Sequence, residues 1–351
     1  MPFLITILAL GFVIFIHELG HLLAAKRAKV GVSEFAVGMG PKVFSFNYGG
    51  TMYALRALPF GGFIKAKGFL DDGEECAIEE DYRQKSVFDR VTIISAGSVM
   101  NLLLGFIIFF ISALVVGNVE LTSTVQKVLP NYPAEASGLL PGDQIIKVND
   151  TPVIDIQEDI IKFIQTSDAV PFQLTFIRNG VSQTVTTSAK EVDNGPSIIG
   201  VEFESKKTPL SFFTAFGKAV NQTGVTIGQS VAGLGMLLTG KANIKELAGP
   251  VGIVQIASSQ VQQNMMKFLN IMAFISISLG VINMLPFPVL DGGHLTFLII
   301  EAFRGKPLSK KVEVFVNNTA AAMLIGLMIF IVFNDVISWN ERVNIIQEMN
   351  Q

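Results

Sequence analysis

Charge and cysteine are both scarce in this 351-residue chain. Only 16% of its residues are Asp, Glu, Lys or Arg and 50% are hydrophobic, whereas soluble domains carry about 25% charged residues. That balance argues against a purely soluble enzyme. The single cysteine, Cys76, excludes an internal disulfide and a Cys-based zinc finger, and in its charged stretch it reads as a plain surface thiol. The 26 basic and 29 acidic residues leave a formal net charge of -3, so no nucleic-acid partner is expected. Histidine is scarce too: there are three, at positions 17, 21 and 294, and two of them lie inside one apolar segment.

Long apolar runs are what the chain has in place of charge. Phe3 to Ala25, Val91 to Val116, Phe268 to Leu290 and Val314 to Phe333 each approach or exceed the length of about 20 residues that crosses a bilayer. The first has no basic residue ahead of it and continues past the histidines, so it reads as a retained span rather than a cleaved signal. Ten Lys and Arg lie at residues 26 to 90, four between the third and fourth runs and one after the last. This places the two odd-to-even loops in the cytosol, the N-terminus outside, and the stretch from Val119 to Lys267 on the far side. Trp339 suits an interfacial anchor. Residues 219 to 240 carry no charge, but Asn221, Gln222, Thr223, Gln229 and Ser230 make them more polar than the spans; helices lying at the interface are expected, the alternative being a fifth crossing that would put Asp291 toward the opposite face.

Two stretches outside the spans have soluble character. In the first cytosolic loop, Val43 to Phe46, Thr51 to Arg56 and Gly61 to Lys65 read as a glycine-rich β-hairpin, with Asn47 to Gly50 as a turn. An exposed edge there is suited to pairing with an extended peptide; a simple membrane-contacting loop is the alternative. In the far-side stretch, short strands, a Pro141-Gly142 turn, a helix over Ile156 to Gln165 and strands at Phe172 to Arg178 and Val181 to Thr187 indicate a small mixed domain.

The chemistry-bearing motif is His17-Glu18-Leu-Gly-His21. On a helix, positions i and i+4 share a face, so both imidazoles converge, and the glutamate between them stands where a general base is needed. An ionisable group inside a span is costly and marks a functional site by default. The alternative is a pair of histidines that only hydrogen-bond between helices. Catalytic zinc takes three protein ligands, but position 27 is Arg27 and no suitable acid follows nearby except Glu34, which is too close. Asp291 is the strongest distant candidate. It ends the third run in Asn283-Met-Leu-Pro-Phe-Pro-Val-Leu-Asp291-Gly-Gly-His294, where Pro286 and Pro288 interrupt any regular helix. At 1.5 Å per residue, His17 lies about 21 Å from Phe3 and Asp291 about 34 Å from Phe268. Both therefore sit toward the cytosolic end of an odd-numbered span. His294 reads as a neighbour of the site rather than a ligand.

These motifs carry two resemblances. Pro133-Ala-Glu-Ala-Ser-Gly-Leu-Leu-Pro-Gly-Asp143, followed by Gln144-Ile-Ile-Lys-Val-Asn-Asp150, resembles a PDZ domain over roughly residues 120 to 205. That likeness implies a ligand bound by strand addition, with Ile198 to Val201 as a possible groove strand; a purely steric cap is the alternative. The HExxH, the NxxPxPxLDGG at 283 to 293, the Ala248-Gly-Pro-Val-Gly-Ile253 segment and the inserted domain together resemble the site-2 protease family of intramembrane zinc metalloproteases, particularly the bacterial regulators of envelope stress. The resemblance implies His17, His21 and Asp291 as Zn2+ ligands and Glu18 as general base. It also implies Asn283 as a residue holding the substrate backbone and the hairpin, with Gly61, Gly62 and Phe63, as a strand-pairing surface. One departure stands out: Ala96-Gly97-Ser98 replaces the Ala-Gly-Pro that often precedes an Asn in the second span, which bears on local helix geometry and not on the metal.

The expected architecture is a polytopic α-helical membrane protein with four transmembrane helices, an inserted small α/β PDZ-like domain and a cytosolic β-hairpin. Residues 1–118 hold the first two spans with the loop at 26–90, 119–206 the extracytoplasmic domain, 207–267 interfacial helices and 268–351 the last two spans. The expected function is hydrolysis of peptide bonds in or near transmembrane segments, as in release of a signalling factor from a membrane-anchored regulator. Its location is the bacterial cytoplasmic membrane with the site toward the cytosol. Partners are transmembrane protein substrates, the lipid bilayer and a peptide or protein ligand of the PDZ-like domain. Two rivals remain: a non-proteolytic PDZ-containing adaptor, and a metal transporter, for which no inverted repeat is visible.

Overall fold

The computed structural model describes residues 1–69, 77–167, 170–191, 196–241, 249–337 and 339; Cys76 and Ala248 lie outside them. The chain forms two compact units, Met1–Ala113 with Phe212–Gln351, and Leu114–Ser211.

The first unit opens with α1, Pro2–Arg27, which starts on a proline at its first turn and ends on Lys26 and Arg27, both favourable to the helix dipole. Strands β1 (Val32–Tyr48) and β2 (Thr51–Ala66) follow, joined at Gly49-Gly50, whose φ values of 57° and 74° make the two-residue turn that a hairpin's twist favours. The hairpin is longer than the sequence pattern implies, and it doubles back. Glu34–Val37 pairs with Met52–Leu55 on one side and with Gly62–Lys65 on the other, while Phe44–Asn47 pairs with the far side of Met52–Leu55. Gly38 and Gly40, at φ 87° and 85°, allow β1 to bend between its two pairings. Gly62–Lys65 is consequently an edge, with a strand partner on one side only among the described residues. Phe35, Val32 and Ala66 pack this sheet against Leu22 and Ala25 of α1. Helix α2, Val87–Val116, completes this half of the unit.

The second unit is a six-stranded antiparallel sheet: β3 (Asn118–Val128), β4 (Gln144–Val148), β5 (Thr151–Pro152), β6 (Phe172–Arg178), β7 (Val181–Thr187) and β8 (Val201–Thr208). The order is β7-β6-β4-β3-β8, with β5 paired to β4. The short α3 is Pro133–Ala136, and a π-helical turn over Ile156–Lys162 runs into α4, Phe163–Gln165. β6 and β7 fall where alternation predicts them, across Asn179-Gly180 at φ 52° and 79°. Val125, Leu139, Ile145, Ile160, Leu174 and Phe176 are buried side chains of its core.

The chain returns to the first unit through α5 (Phe212–Leu238), α6 (Pro250–Gln263), α7 (Met265–Asn283), α8 (Asp291–Arg304) and α9 (Lys310–Ile337). Residues 212 to 238 are thus one helix. Phe212 and Phe216 meet Phe110 and Phe106 of α2, and the Ser230 hydroxyl meets that of Ser278 on α7 at 2.9 Å. Buried Asp335 of α9 accepts hydrogen bonds from the Gly249, Val251 and Gly252 amides at 2.9, 3.1 and 3.0 Å, which caps the first turn of α6. Four helices, Pro2–Arg27, Val87–Val116, Met265–Asn283 and Lys311–Ile337, are long and apolar enough to cross a membrane. They coincide with the four apolar runs, with one correction. The third run does not continue as helix to Leu290: α7 stops at Asn283, so the 34 Å helical depth of Asp291 does not hold.

Candidate metal centre and active site

The site is assembled where α1, α2, the hairpin edge and the break between α7 and α8 meet. On α1, His17 and His21 lie one turn apart, with relative exposures of 7% and 8%. Helix α2 comes close because both partners are small. A Cβ on Gly20 would stand 2.8 Å from the Ala96 carbonyl carbon, and one on Gly97 would stand 2.8 Å from His17 Cε1 and nearer still to His21. Gly97 is therefore the space in which the two rings sit.

Asp291 reaches the histidines because the chain folds over itself after α7. Residues 284 to 290 leave the helix, with Val289 at φ 80°, a conformation a β-branched side chain rarely adopts. This loop packs on Gly293, where a Cβ would lie 2.8 Å from both Phe287 C and Pro288 Cα. The Asp-Gly-Gly sequence thus supplies a carboxylate followed by two positions at which the returning backbone leaves no room for a side chain. Helix α8, which begins at Asp291, is held to α2 by a bidentate pair from Arg90 to Glu301 at 2.7 and 3.1 Å.

Three donor atoms converge. His17 Nε2 and His21 Nε2 are 3.2 Å apart, and Asp291 Oδ2 is 3.4 Å from the first and 3.5 Å from the second. His21 Nδ1 lies 2.8 Å from the Ile93 carbonyl oxygen. Since that oxygen only accepts, Nδ1 carries the proton and Nε2 presents a lone pair to the other two donors. A single proton bridges one pair of these atoms; a metal ion satisfies all three. Ligands 2.0–2.1 Å from a tetrahedral zinc ion stand about 3.3 Å from each other, and the measured spacings match. The donor set fits zinc.

These groups line a cavity of about 280 Å³ together with Glu18, Gly62, Phe63, Asn283 and His294. The Asn283 amide nitrogen is 3.3 Å from His17 Nε2. Gly62 lies against the base, since a Cβ there would stand 2.9 Å from Glu18 Cγ and 3.0 Å from the Ala36 oxygen. Of the expected substrate-contacting residues, Asn283, Gly62 and Phe63 face the cavity. Gly61 does not line it; at φ 80° it turns the strand beside Met39. His294 packs at an angle to the Phe69 ring and edge-on to that of Phe297, and is not among the three convergent donors.

Residues 5–327 match Peptidase family M50. The chain belongs to peptidase family M50. It is a zinc metalloprotease of the site-2 protease type, and as a family M50 chain with four long apolar helices it is a multi-pass bacterial membrane protein. A relative in Fusobacterium nucleatum, described as a candidate zinc metalloprotease, is 33% identical over 347 residues, covering 96% of this chain and 98% of its own. The zinc metalloprotease RasP of Geobacillus kaustophilus is 30% identical over 409 residues, covering 94% and 96%. The regulator of sigma-W protease RasP of Bacillus subtilis is 28% identical, covering 94% and 97%.

The sequence pattern marks the stretch Ala96 to Asn101 of α2 but gives its residues no role beside the donors. Ser98, noted only as a departure affecting helix geometry, has its hydroxyl 3.4 Å from Asp291 Oδ2. Asn101, fully buried, has its amide 3.4 Å from His17 Nδ1. The available signal was that Asn101 is the one carboxamide in the second apolar run.

Proposed function

We propose that this family M50 chain hydrolyses peptide bonds in or near transmembrane segments of membrane-protein substrates, in regulated intramembrane proteolysis such as release of a signalling factor from a membrane-anchored regulator. The observation that carries the reading is the convergence of His17, His21 and Asp291 donor atoms within 3.5 Å of one another beside Glu18. In it, the two histidines and Asp291 hold zinc. When bound, zinc supplies Lewis-acid polarisation of the scissile carbonyl and makes water a competent nucleophile near neutral pH. Glu18 accepts the proton of the attacking water and returns it to the leaving amine. Asn283 donates from its amide to the substrate backbone. The Gly62–Lys65 edge pairs with an unwound substrate strand and holds it extended. Gly61 contributes by turning that strand.

In the same reading the N-terminus and the domain over 119–206 are extracytoplasmic, and the catalytic end faces the cytosol. The inserted domain is PDZ-like. A groove of about 210 Å³ between Ile161, Ile164 and Gln165 and the segment Ile198–Val201 supports strand addition of a peptide there.

The test is zinc stoichiometry and cleavage of a single-span reporter by detergent-purified protein, wild type beside Asp291→Ala. Near-stoichiometric zinc and cleavage in the wild type, both lost in the variant, are expected. Zinc that stays in the variant removes Asp291 from the ligand set, and an active but metal-free wild type overturns the reading.

A further inference from the structure

Each of the three donor residues is met by a group of α2. The Ile93 carbonyl oxygen stands 2.8 Å from His21 Nδ1, the Ser98 hydroxyl 3.4 Å from Asp291 Oδ2 and the Asn101 amide 3.4 Å from His17 Nδ1. With 3.6 residues per turn, positions 93, 97, 98 and 101 lie on one face of the helix. Gly97, in their midst, provides the room for the rings.

That face is held firmly. Ser98 and Asn101 are 1% and 0% exposed. The Ser276 hydroxyl of α7 donates to the Asn101 carbonyl at 2.8 Å, and a Cβ on Gly280 would stand 2.9 Å from the Ser98 carbonyl oxygen, so α7 backs α2 at these two residues. Asn101 Oδ1 is buried and has no hydrogen-bond partner among the described residues. A buried carboxamide oxygen inside a span is costly unless it accepts a proton.

Tautomer chemistry says which proton. His21 is fixed by a carbonyl, which leaves its Nε2 free to ligate. For His17 to present Nε2 in the same way, its own proton must sit on Nδ1 and requires an acceptor there. Asn101 is the group at that position. Its oxygen and nitrogen exchange places by a half-turn of the amide, with little displacement of the side chain.

We propose that α2 forms the outer shell of the metal site, with Asn101 positioning His17 by accepting the Nδ1 proton through Oδ1, and Ser98 positioning Asp291 by donating its hydroxyl to the carboxylate. Both are positioning residues: they touch ligands, not substrate. The inference rests on the assignment of His17, His21 and Asp291 as the zinc ligands. It makes the occupancy of the site a property of three helices, with α1 and the start of α8 supplying donors and α2 fixing their direction. Partners behind metal ligands typically govern affinity by 10–100-fold.

The experiment reads zinc affinity rather than turnover. Full-length protein in detergent is stripped of metal, reloaded with zinc alone, and titrated against a chromophoric chelator, while unfolding of the metal-free protein reports on the fold. Asn101→Leu, which keeps the volume and removes the acceptor, is expected to bind zinc about 10–100-fold more weakly with an unchanged metal-free unfolding midpoint. Asn101→Asp, an acceptor that cannot donate, is expected to retain zinc near the wild-type affinity. Ser98→Ala is expected to weaken binding by about 10-fold and Ser98→Thr to restore it. Should Asn101→Leu not fold, Asn101→Ala carries the same expectation. Wild-type affinity in Asn101→Leu or Asn101→Ala overturns the role of Asn101, as does equal loss in Asn101→Asp and Asn101→Leu. Unchanged affinity in Ser98→Ala overturns the role of Ser98. His17→Ala in the same series separates the two levels: if it keeps zinc, the ligand assignment itself fails and the inference with it.

Discussion

Glu18 differs from its neighbours His17 and His21 in having no place among the convergent donors, although all three line the same cavity. In the proposed mechanism its carboxylate, which stands beside the three donor atoms and not among them, is the proton acceptor. Glu18→Gln preserves shape and removes only basicity. Cleavage of a single-span reporter is expected to fall by about 10²–10⁴-fold, while zinc measured by mass spectrometry stays at the wild-type ratio. Cleavage within twofold of wild type would remove Glu18 from the mechanism; loss of zinc would make it a structural support of the site instead. Val289 illustrates a different use of a single residue. A valine held at φ 80° is unfavourable in isolation, and it stands two residues before Asp291, in the turn that delivers the carboxylate.

Among elements, the doubled hairpin does what neither a loop nor a plain two-stranded ribbon does, which is to bring a strand edge to the cavity. Gly62 pairs with Val37, and the space a side chain would occupy is taken by Glu18 and the Ala36 carbonyl. Gly62→Val forces the edge away from the base by a distance comparable to the misplacements that cost about 100-fold in rate. A fall of that order in cleavage is expected, with zinc content unchanged; normal cleavage would show that substrate does not use this edge. The sequence pattern marks this element unevenly. The strand at 61–65 and the turn before Thr51 are visible in local composition, but Glu34–Val37 as an inner strand is not, because partner choice among the candidate strands is settled by packing of Phe35 and Val32 on α1. The donors are more legible. His17 and His21 share a helix face by their spacing alone, and Asp291 stands out as the acid that ends an apolar run behind two prolines, its role as a ligand being what the family resemblance implies. Ser98 and Asn101 escape such reading because a polar residue in a span announces importance without naming its partner, and theirs are 193 and 84 positions away.

At the scale of the whole molecule, two cores are built from one chain, and they answer to different forces. In Leu114–Ser211, buried Asp143 accepts two hydrogen bonds from Arg178 at 2.7 Å and one from the Leu140 amide at 2.8 Å. Burial alone would push this carboxyl up, but the Arg178 hydrogen bonds and the Leu140 amide outweigh it and hold it below the usual carboxylate range. A carboxyl lowered by folding stabilises the native state at neutral pH and loses that contribution as the pH falls through its native value. Protease resistance of this unit is therefore expected to decline below the ordinary carboxylate range in wild type. Asp143→Asn is expected to be less resistant at neutral pH and to show a flatter acid dependence; identical acid profiles would remove this pair from the account. The same unit is joined to the rest of the chain in a way that invites excision. Asn118 pairs with Thr208 across β3 and β8, so its entry and exit strands are already side by side where α2 ends and α5 is about to begin. Elements whose ends adjoin are removed with little loop-closure cost. Replacing 119–207 with a short Gly/Ser linker is expected to leave zinc stoichiometry unchanged, because every donor and every contact behind a donor belongs to the other unit. Loss of zinc from a folded, monodisperse excision variant would mean that the inserted unit helps to hold the metal centre together.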